Sequence, residues 1–151
     1  MVTGYFFNPN IHPFLEYVRR RDAAKQFAEI QGLELIVSPE YDLEQYLTSV
    51  LGRGTGRCER CYRFRLSAVA AEARDQGLPA FSTSLLYSKY QKHDVIRGVA
   101  EEMARDHGVE FLYEDFRHGW RDGIRESRRL GLYRQQYCGC LFSEWERYQK
   151  Q

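Results

Sequence analysis

Residues Val2–Val37 read VTGYFFNPNIHPFLEYVRRRDAAKQFAEIQGLELIV, and this stretch decides the fold. Val2 to Phe7 is a buried strand, closed by the turn signal Asn8-Pro9-Asn10. Pro13 suits the first turn of a helix, where its missing N–H costs nothing. Phe14, Tyr17, Val18, Ala24, Phe27 and Ala28 then recur at helical spacing, so a helix to about Ile30 is expected. Gly32 stops it, and Leu33 to Val37 is a short apolar run of strand character. Strand, helix, strand is the signature of a parallel βαβ unit.

The same alternation continues. Leu43 to Leu51 is helical, and Gly52-Arg53-Gly54-Thr55-Gly56-Arg57 is a flexible loop. Tyr62, Leu66, Val69, Ala70 and Ala73 form one apolar stripe on a helix from about Glu59 to Ala73 or a little beyond. Ala80 to Leu86 resembles a strand, because Phe81, Thr83 and Leu85 alternate. Val95, Ile96, Val99, Ala100 and Met103 mark another helix, ended by Gly108, and Val109 to Tyr113 is a further strand. A polar segment from Glu114 to His118, an arginine-rich helix near Trp120 to Leu130 and a terminal helix near Ser143 to Tyr148 complete the chain. The expectation is a single α/β domain over residues 1–151, with a mostly parallel sheet flanked by helices.

At 151 residues the chain is long enough to bury its own core. Apolar content of 43% and charged content of 28% fit a globular protein, and no apolar run approaches a membrane span. The N-terminus lacks the basic flank and small-residue cleavage site of a signal peptide, so a cytoplasmic location and reduced cysteines are expected. Net charge is +1, which excludes a global basic field. Lysine occurs only at 25, 89, 92 and 150, so 18 of the 22 basic residues are arginine. Arg53, Arg57, Arg60, Arg63 and Arg65 cluster in one place, and Arg121, Arg125, Arg128 and Arg129 in another. Arginine grips phosphate bidentately and stacks on bases. Charge alone favours the plainer reading, a solvated, salt-bridged surface.

Four cysteines come as two tight pairs, Cys58/Cys61 and Cys138/Cys140. The first pair falls at the start of a predicted helix. There the partial positive charge of the helix end and adjacent arginines favour thiolates. Gly139 removes a side chain between the second two sulfurs. Four thiolates suit a zinc ion or an iron–sulfur cluster. With 76 residues between the pairs, the fold rather than a local knuckle would assemble such a site. Asp115 follows a predicted strand, where ligands of open α/β sheets bind. It is placed to act as an acid, a ligand or an orienting group, and a capping or Arg-paired aspartate fits as well. Thr83 and Ser84 share that ambiguity, the four histidines are dispersed, and the glycine loop lacks the ending of a phosphate-binding loop.

Several segments together resemble one family: Phe7-Asn8-Pro9-Asn10-Ile11-His12-Pro13 with Glu16-Tyr17, Cys58-Glu59-Arg60-Cys61-Tyr62-Arg63-Phe64-Arg65-Leu66, Phe81 to Leu86, Asp115-Phe116-Arg117, and Tyr133 to Cys140. In order, from about Val2 to Glu144, they resemble the cobalamin-independent epoxyqueuosine reductases of the QueH type. The resemblance implies a tRNA-modifying oxidoreductase that reduces the epoxide of epoxyqueuosine at the anticodon wobble position. It implies a 4Fe-4S cluster with an additional iron nearby, the anticodon stem-loop of tRNA as partner, and an electron donor protein or reductant. The implied fold is related to PP-loop and HUP-like nucleotide-binding folds. Metal ligation is carried over to Cys58, Cys61, Cys138 and Cys140, and Asp115 is expected to help with protonation or orientation. Members of the family begin with a further strand and adjacent cysteines, so this chain is expected to be N-terminally incomplete, with the first strand missing. Epoxide reduction needs two electrons that side chains do not supply, hence a redox cofactor. The competing expectation is a non-redox RNA-binding protein with a structural four-cysteine zinc site. An adenine-nucleotide enzyme of related fold is a third, opposed by the missing phosphate-loop signature.

Overall fold

The computed structural model describes residues 1–52 and 56–150. Arg53, Gly54 and Thr55 of the glycine loop lie outside the described residues. The chain is α/β with parallel strand pairs, as the alternation predicts. It divides into two compact units, residues 1–43 with 125–151, and residues 44–124.

The first unit is built on the opening βαβ stretch. Strand β1 (Thr3–Phe6) pairs in parallel with β2 (Glu34–Val37), in register from Thr3 opposite Glu34 to Phe6 opposite Val37. Helix α1 (Phe14–Gln31) connects them, with Pro13 at its N-cap. Gly32 adopts a left-handed φ of 63° and returns its N–H to Ala28 and Glu29, which is why the helix stops there. The apolar core is small: Phe6, Ile11 and Tyr17, with Val18, Ala24, Leu35, Val37 and Tyr41 against it. Sequence periodicity places Phe14 and Phe27 on the apolar face of α1, yet both are exposed, at 51% and 41%. The buried face keeps Tyr17 and Ala28 as expected and adds Glu16 and Arg20. The chain returns to this unit in its final helix, α6 (Leu141–Tyr148).

In the second unit, α2 (Leu43–Val50) precedes α3 (Arg57–Asp75), and α3 packs along α4 (His93–His107). Tyr62, Leu66, Ala70 and Ala73 of α3 meet Ile96, Val99, Ala100, Met103 and Ala104 of α4, and Phe81, Leu85 and Leu86 close the core. Small alanines at the contact let the helix backbones approach closely. Each fully buried Leu or Ile there contributes about 1.5–3 kcal/mol. Strands β3 (Ala80–Phe81) and β4 (Glu110–Phe111) form a second parallel pair.

The expected strand Ala80–Leu86 is a strand only at its first two residues. The Thr83 hydroxyl accepts the Leu85 N–H at 3.3 Å and caps a 3₁₀ turn over Ser84–Tyr87. Leu85 and Leu86 are therefore buried from a turn, not from a pleated strand. Likewise Val109–Tyr113 shortens to Glu110–Phe111. A second 3₁₀ turn, Phe116–Gly119, leads into α5 (Trp120–Arg129).

Candidate functional site

The second cysteine pair has a built seat. It lies between Tyr133 and α6, and the seat is polar and buried. Arg20, on α1, has its side chain 8% exposed. Its Nε donates to Glu16 Oε1 at 2.7 Å, one helical turn away. Its other nitrogens donate to the Tyr137 carbonyl at 3.0 Å, the Cys138 carbonyl at 2.8 Å and Gln135 Oε1 at 3.2 Å. A planar guanidinium fork is the side chain that satisfies so many acceptors in one place. The second oxygen of Glu16 accepts from the Tyr133 hydroxyl at 2.6 Å. Burial foremost, and then this carboxylate, push the Tyr133 phenol up, so it remains a donor.

His12 locks the loop from the other side. Its backbone N–H donates to the Gly139 carbonyl at 2.8 Å. Its Nε2 lies 3.0 Å from the Pro9 carbonyl, so Nε2 carries the proton. Its Nδ1 then accepts the Leu141 N–H, at 3.2 Å. Burial pulls the His12 pKa down, which keeps this neutral tautomer. The Tyr137 hydroxyl donates to the His12 carbonyl, and burial pushes that phenol up to about 12. Asn10 is 2% exposed beside the same loop. Gly139 sits at φ +149°, and a Cβ there would lie 3.2 Å from Arg20 Nη1 and Asn10 Nδ2 and 3.3 Å from Ile11 Cγ1. Gly139→Ala therefore costs about 1–3 kcal/mol, from a backbone region reserved for glycine, and urea denaturation measures it.

Cys140 is the N-cap of α6. Its sulfur accepts the Ser143 N–H at 3.4 Å, while the Ser143 hydroxyl donates to the Cys140 carbonyl at 2.7 Å. Cys138 is exposed and Cys140 half-buried.

The first pair belongs to the other unit. Cys58 and Cys61 stand one turn apart at the start of α3, Cys58 exposed and Cys61 half-buried. The N-cap, Gly56, supplies no side-chain hydrogen bond. Arg60 Nε donates to the Val50 carbonyl at 3.1 Å, tying this start to α2. Among the described residues no three of the His, Cys, Asp and Glu side chains gather as a metal-binding group. Each thiol pair is thus positioned by its own unit. Each pair displays its thiols at or near the surface from the first turn or cap of a helix, and thiolate is a donor that iron and zinc centres take.

Asp115 caps the Phe116–Gly119 turn, its Oδ1 accepting the Arg117 N–H at 3.1 Å. The Arg117 guanidinium grips both carboxylate oxygens, at 2.8 and 2.6 Å. These hydrogen bonds hold the Asp115 carboxyl well below the usual carboxylate range. Its contribution to stability is present above the usual carboxylate range and is lost as pH falls from there through the lowered value. Thr83 caps a turn, as described, and Tyr62 is core at 4% exposure, its hydroxyl donating to Gln91 Oε1 at 2.8 Å. Of the clustered arginines, Arg63 pairs bidentately with Glu102 at 2.6 and 2.9 Å, and Arg129 and Arg125 pair with Glu126.

Sequence reasoning on individual residues passed over Arg20 and the buried role of Glu16. The i, i+4 Glu–Arg spacing was visible, but such pairs usually decorate a solvated face.

The family model for epoxyqueuosine reductase QueH matches residues 1–146. The chain is 42% identical over 149 residues to an epoxyqueuosine reductase QueH of Dehalococcoides mccartyi, covering 99% of this chain and 82% of that protein. It is 40% identical over 156 residues to the Thermotoga maritima protein of the same name, covering 97% and 81%. The Helicobacter pylori counterpart is 34% identical, with 94% of this chain and 42% of that longer protein covered. The α/β frame thus finds its class among oxidoreductases. The chain belongs to the epoxyqueuosine reductase QueH family.

Proposed function

We propose that this chain reduces epoxyqueuosine to queuosine at the wobble position of tRNA anticodons. Membership of the family over residues 1–146 is the observation that carries this reading. Balanced, the reaction takes two electrons and two protons, converts the epoxide to an alkene and releases the oxygen as water. In this reading Cys58, Cys61, Cys138 and Cys140 hold a 4Fe-4S cluster, accompanied by a further iron. When bound, such a centre supplies the electrons and a Lewis acid.

The chain's own residues prepare that chemistry. Arg20, Glu16 and His12 fix the backbone of residues 137–141, so the Cys138 and Cys140 sulfurs start from a set position. Exposed arginines such as Arg121 and Arg128 offer phosphate contacts to the anticodon stem. An external reductant or donor protein supplies the electrons. No helix among the described residues is long and apolar enough to cross a membrane; the proposed tRNA substrate is what supports a cytoplasmic reaction.

Asp115 has an orienting part here. Held ionised by Arg117, it has no proton to give. Asp115→Asn is expected to keep turnover within roughly 10-fold and to leave the pH profile's shape unchanged. Losing a proton-transferring group costs roughly 10²–10⁴-fold and removes a limb of the profile, so that result would overturn the assignment.

Anaerobic purification tests the redox reading against a structural zinc site. Brown protein holding iron and acid-labile sulfide supports the reductase. Colourless protein that holds zinc and takes up no iron would sink it.

A further inference from the structure

Within the second unit, four side chains from two separate segments form an aromatic surface that the reductive chemistry does not use. Trp120, at the start of α5, lies 5.1 Å from the Tyr87 ring at 31°, and 5.8 Å from the Tyr90 ring at 79°. The Lys89 ammonium stands 5.5 Å from the Trp120 ring and 5.6 Å from the Tyr90 ring. Tyr90 is 77% exposed, among the most open large side chains of the molecule.

This surface is ordered from below. The Tyr87 hydroxyl donates to the Trp120 carbonyl at 2.9 Å. That approach requires Gly123, because a Cβ there would lie 2.0 Å from the Tyr87 hydroxyl oxygen. The Tyr90 N–H donates to the Ser88 hydroxyl at 3.2 Å, and buried His93 holds the Ser88 carbonyl through Nε2 at 3.1 Å. The backbone beneath Tyr90 is thus held while its ring stays exposed, open for a flat ligand to stack on.

We infer that Tyr90, Trp120 and Lys89 form a stacking platform for an unpaired base of the RNA loop. The occupant follows from charge and shape together. The open aromatic face suits a base, and the adjacent ammonium suits its phosphate, with exposed Lys92 and Arg121 flanking the two segments in sequence. A nucleotide carries both groups on one unit, and unpaired loop bases are the ones that proteins stack on aromatic rings. The inference rests on the proposed action on tRNA, and it names where the anticodon loop is held.

Fluorescence anisotropy with an anticodon stem-loop RNA tests it, with a duplex of the same stem as the comparison. Tyr90→Ala is expected to weaken stem-loop binding about 5- to 150-fold, leave duplex binding unchanged and raise KM without lowering kcat. Tyr90→Phe, which keeps the ring, restores binding. In a Trp145→Phe background, the remaining Trp120 emission falls on stem-loop addition. Tyr90→Ala binding within twofold of the parent, or equal weakening of loop and duplex, would overturn the platform. Unchanged binding with queuosine still formed sinks the platform alone. Tyr90-dependent loop binding without any reduction supports the platform and sinks the reductase reading.

Discussion

Arg20→Ala lowers the melting temperature by roughly 10 °C and releases the Cys138–Cys140 loop. The side chain makes four hydrogen bonds, three of them to a segment 115–118 residues away. Its removal leaves the Glu16 carboxylate, whose side chain is 6% exposed, buried without its counter-charge. Breaking one half of a buried pair costs about 3–5 kcal/mol, because the remaining charge is uncompensated. For a chain of this size each kcal/mol moves the midpoint by roughly 2–4 °C. The loss is larger than that of exposed pairs such as Arg97–Glu101 or Arg117–Asp115, which solvent screens. Arg20→Lys keeps a charge near Glu16 but cannot fork to the Tyr137 and Cys138 carbonyls, so an intermediate melting point is expected. Alkylation of Cys138 and Cys140 in metal-free protein should quicken in both variants, in that order. An Arg20→Ala protein that melts within 2 °C of the parent would remove Arg20 as the anchor of the loop.

Cys58→Ser and Cys138→Ser each abolish turnover while leaving the far-ultraviolet circular dichroism unchanged. Both sulfurs are exposed, so neither contributes a packed core contact whose loss would unfold its unit. Serine keeps the volume but is a poor ligand for iron, which prefers thiolate. Because the two residues belong to different units, equal iron loss from both variants is what a shared centre requires. Iron and sulfide should fall together to background in each. If one variant keeps its full iron content, the two pairs do not serve one cluster.

The fold was legible where the signals are local. The opening βαβ stretch declares itself because Asn8-Pro9-Asn10 and Gly32 punctuate it, and the structure places β1, α1 and β2 within about two residues of the expected bounds. The stretch Ala80–Leu86 misleads because period-two alternation at Phe81, Thr83 and Leu85 also fits a capped turn that buries two leucines. Only the Thr83 hydroxyl, bonding two residues ahead, hints at the difference. The cysteine pairs were visible as spacing, but their support was not. Arg20 shares the stripe of Tyr17, Ala24 and Phe27, but no local pattern says that it and Glu16 are buried there as a charged pair by residues 133–141. Asp115 shows the same limit: its pairing with Arg117 was one of several roles open to an aspartate after a strand.

The most direct test is product analysis. The chain is loaded with iron and sulfide under anaerobic conditions and incubated with dithionite and tRNA carrying epoxyqueuosine. The tRNA is then digested to nucleosides and separated by mass. The account predicts conversion of epoxyqueuosine to a nucleoside one oxygen lighter, queuosine, and no conversion by the Cys138→Ser protein. Iron-replete protein that leaves epoxyqueuosine intact while the Thermotoga maritima relative converts it under the same conditions would contradict the account.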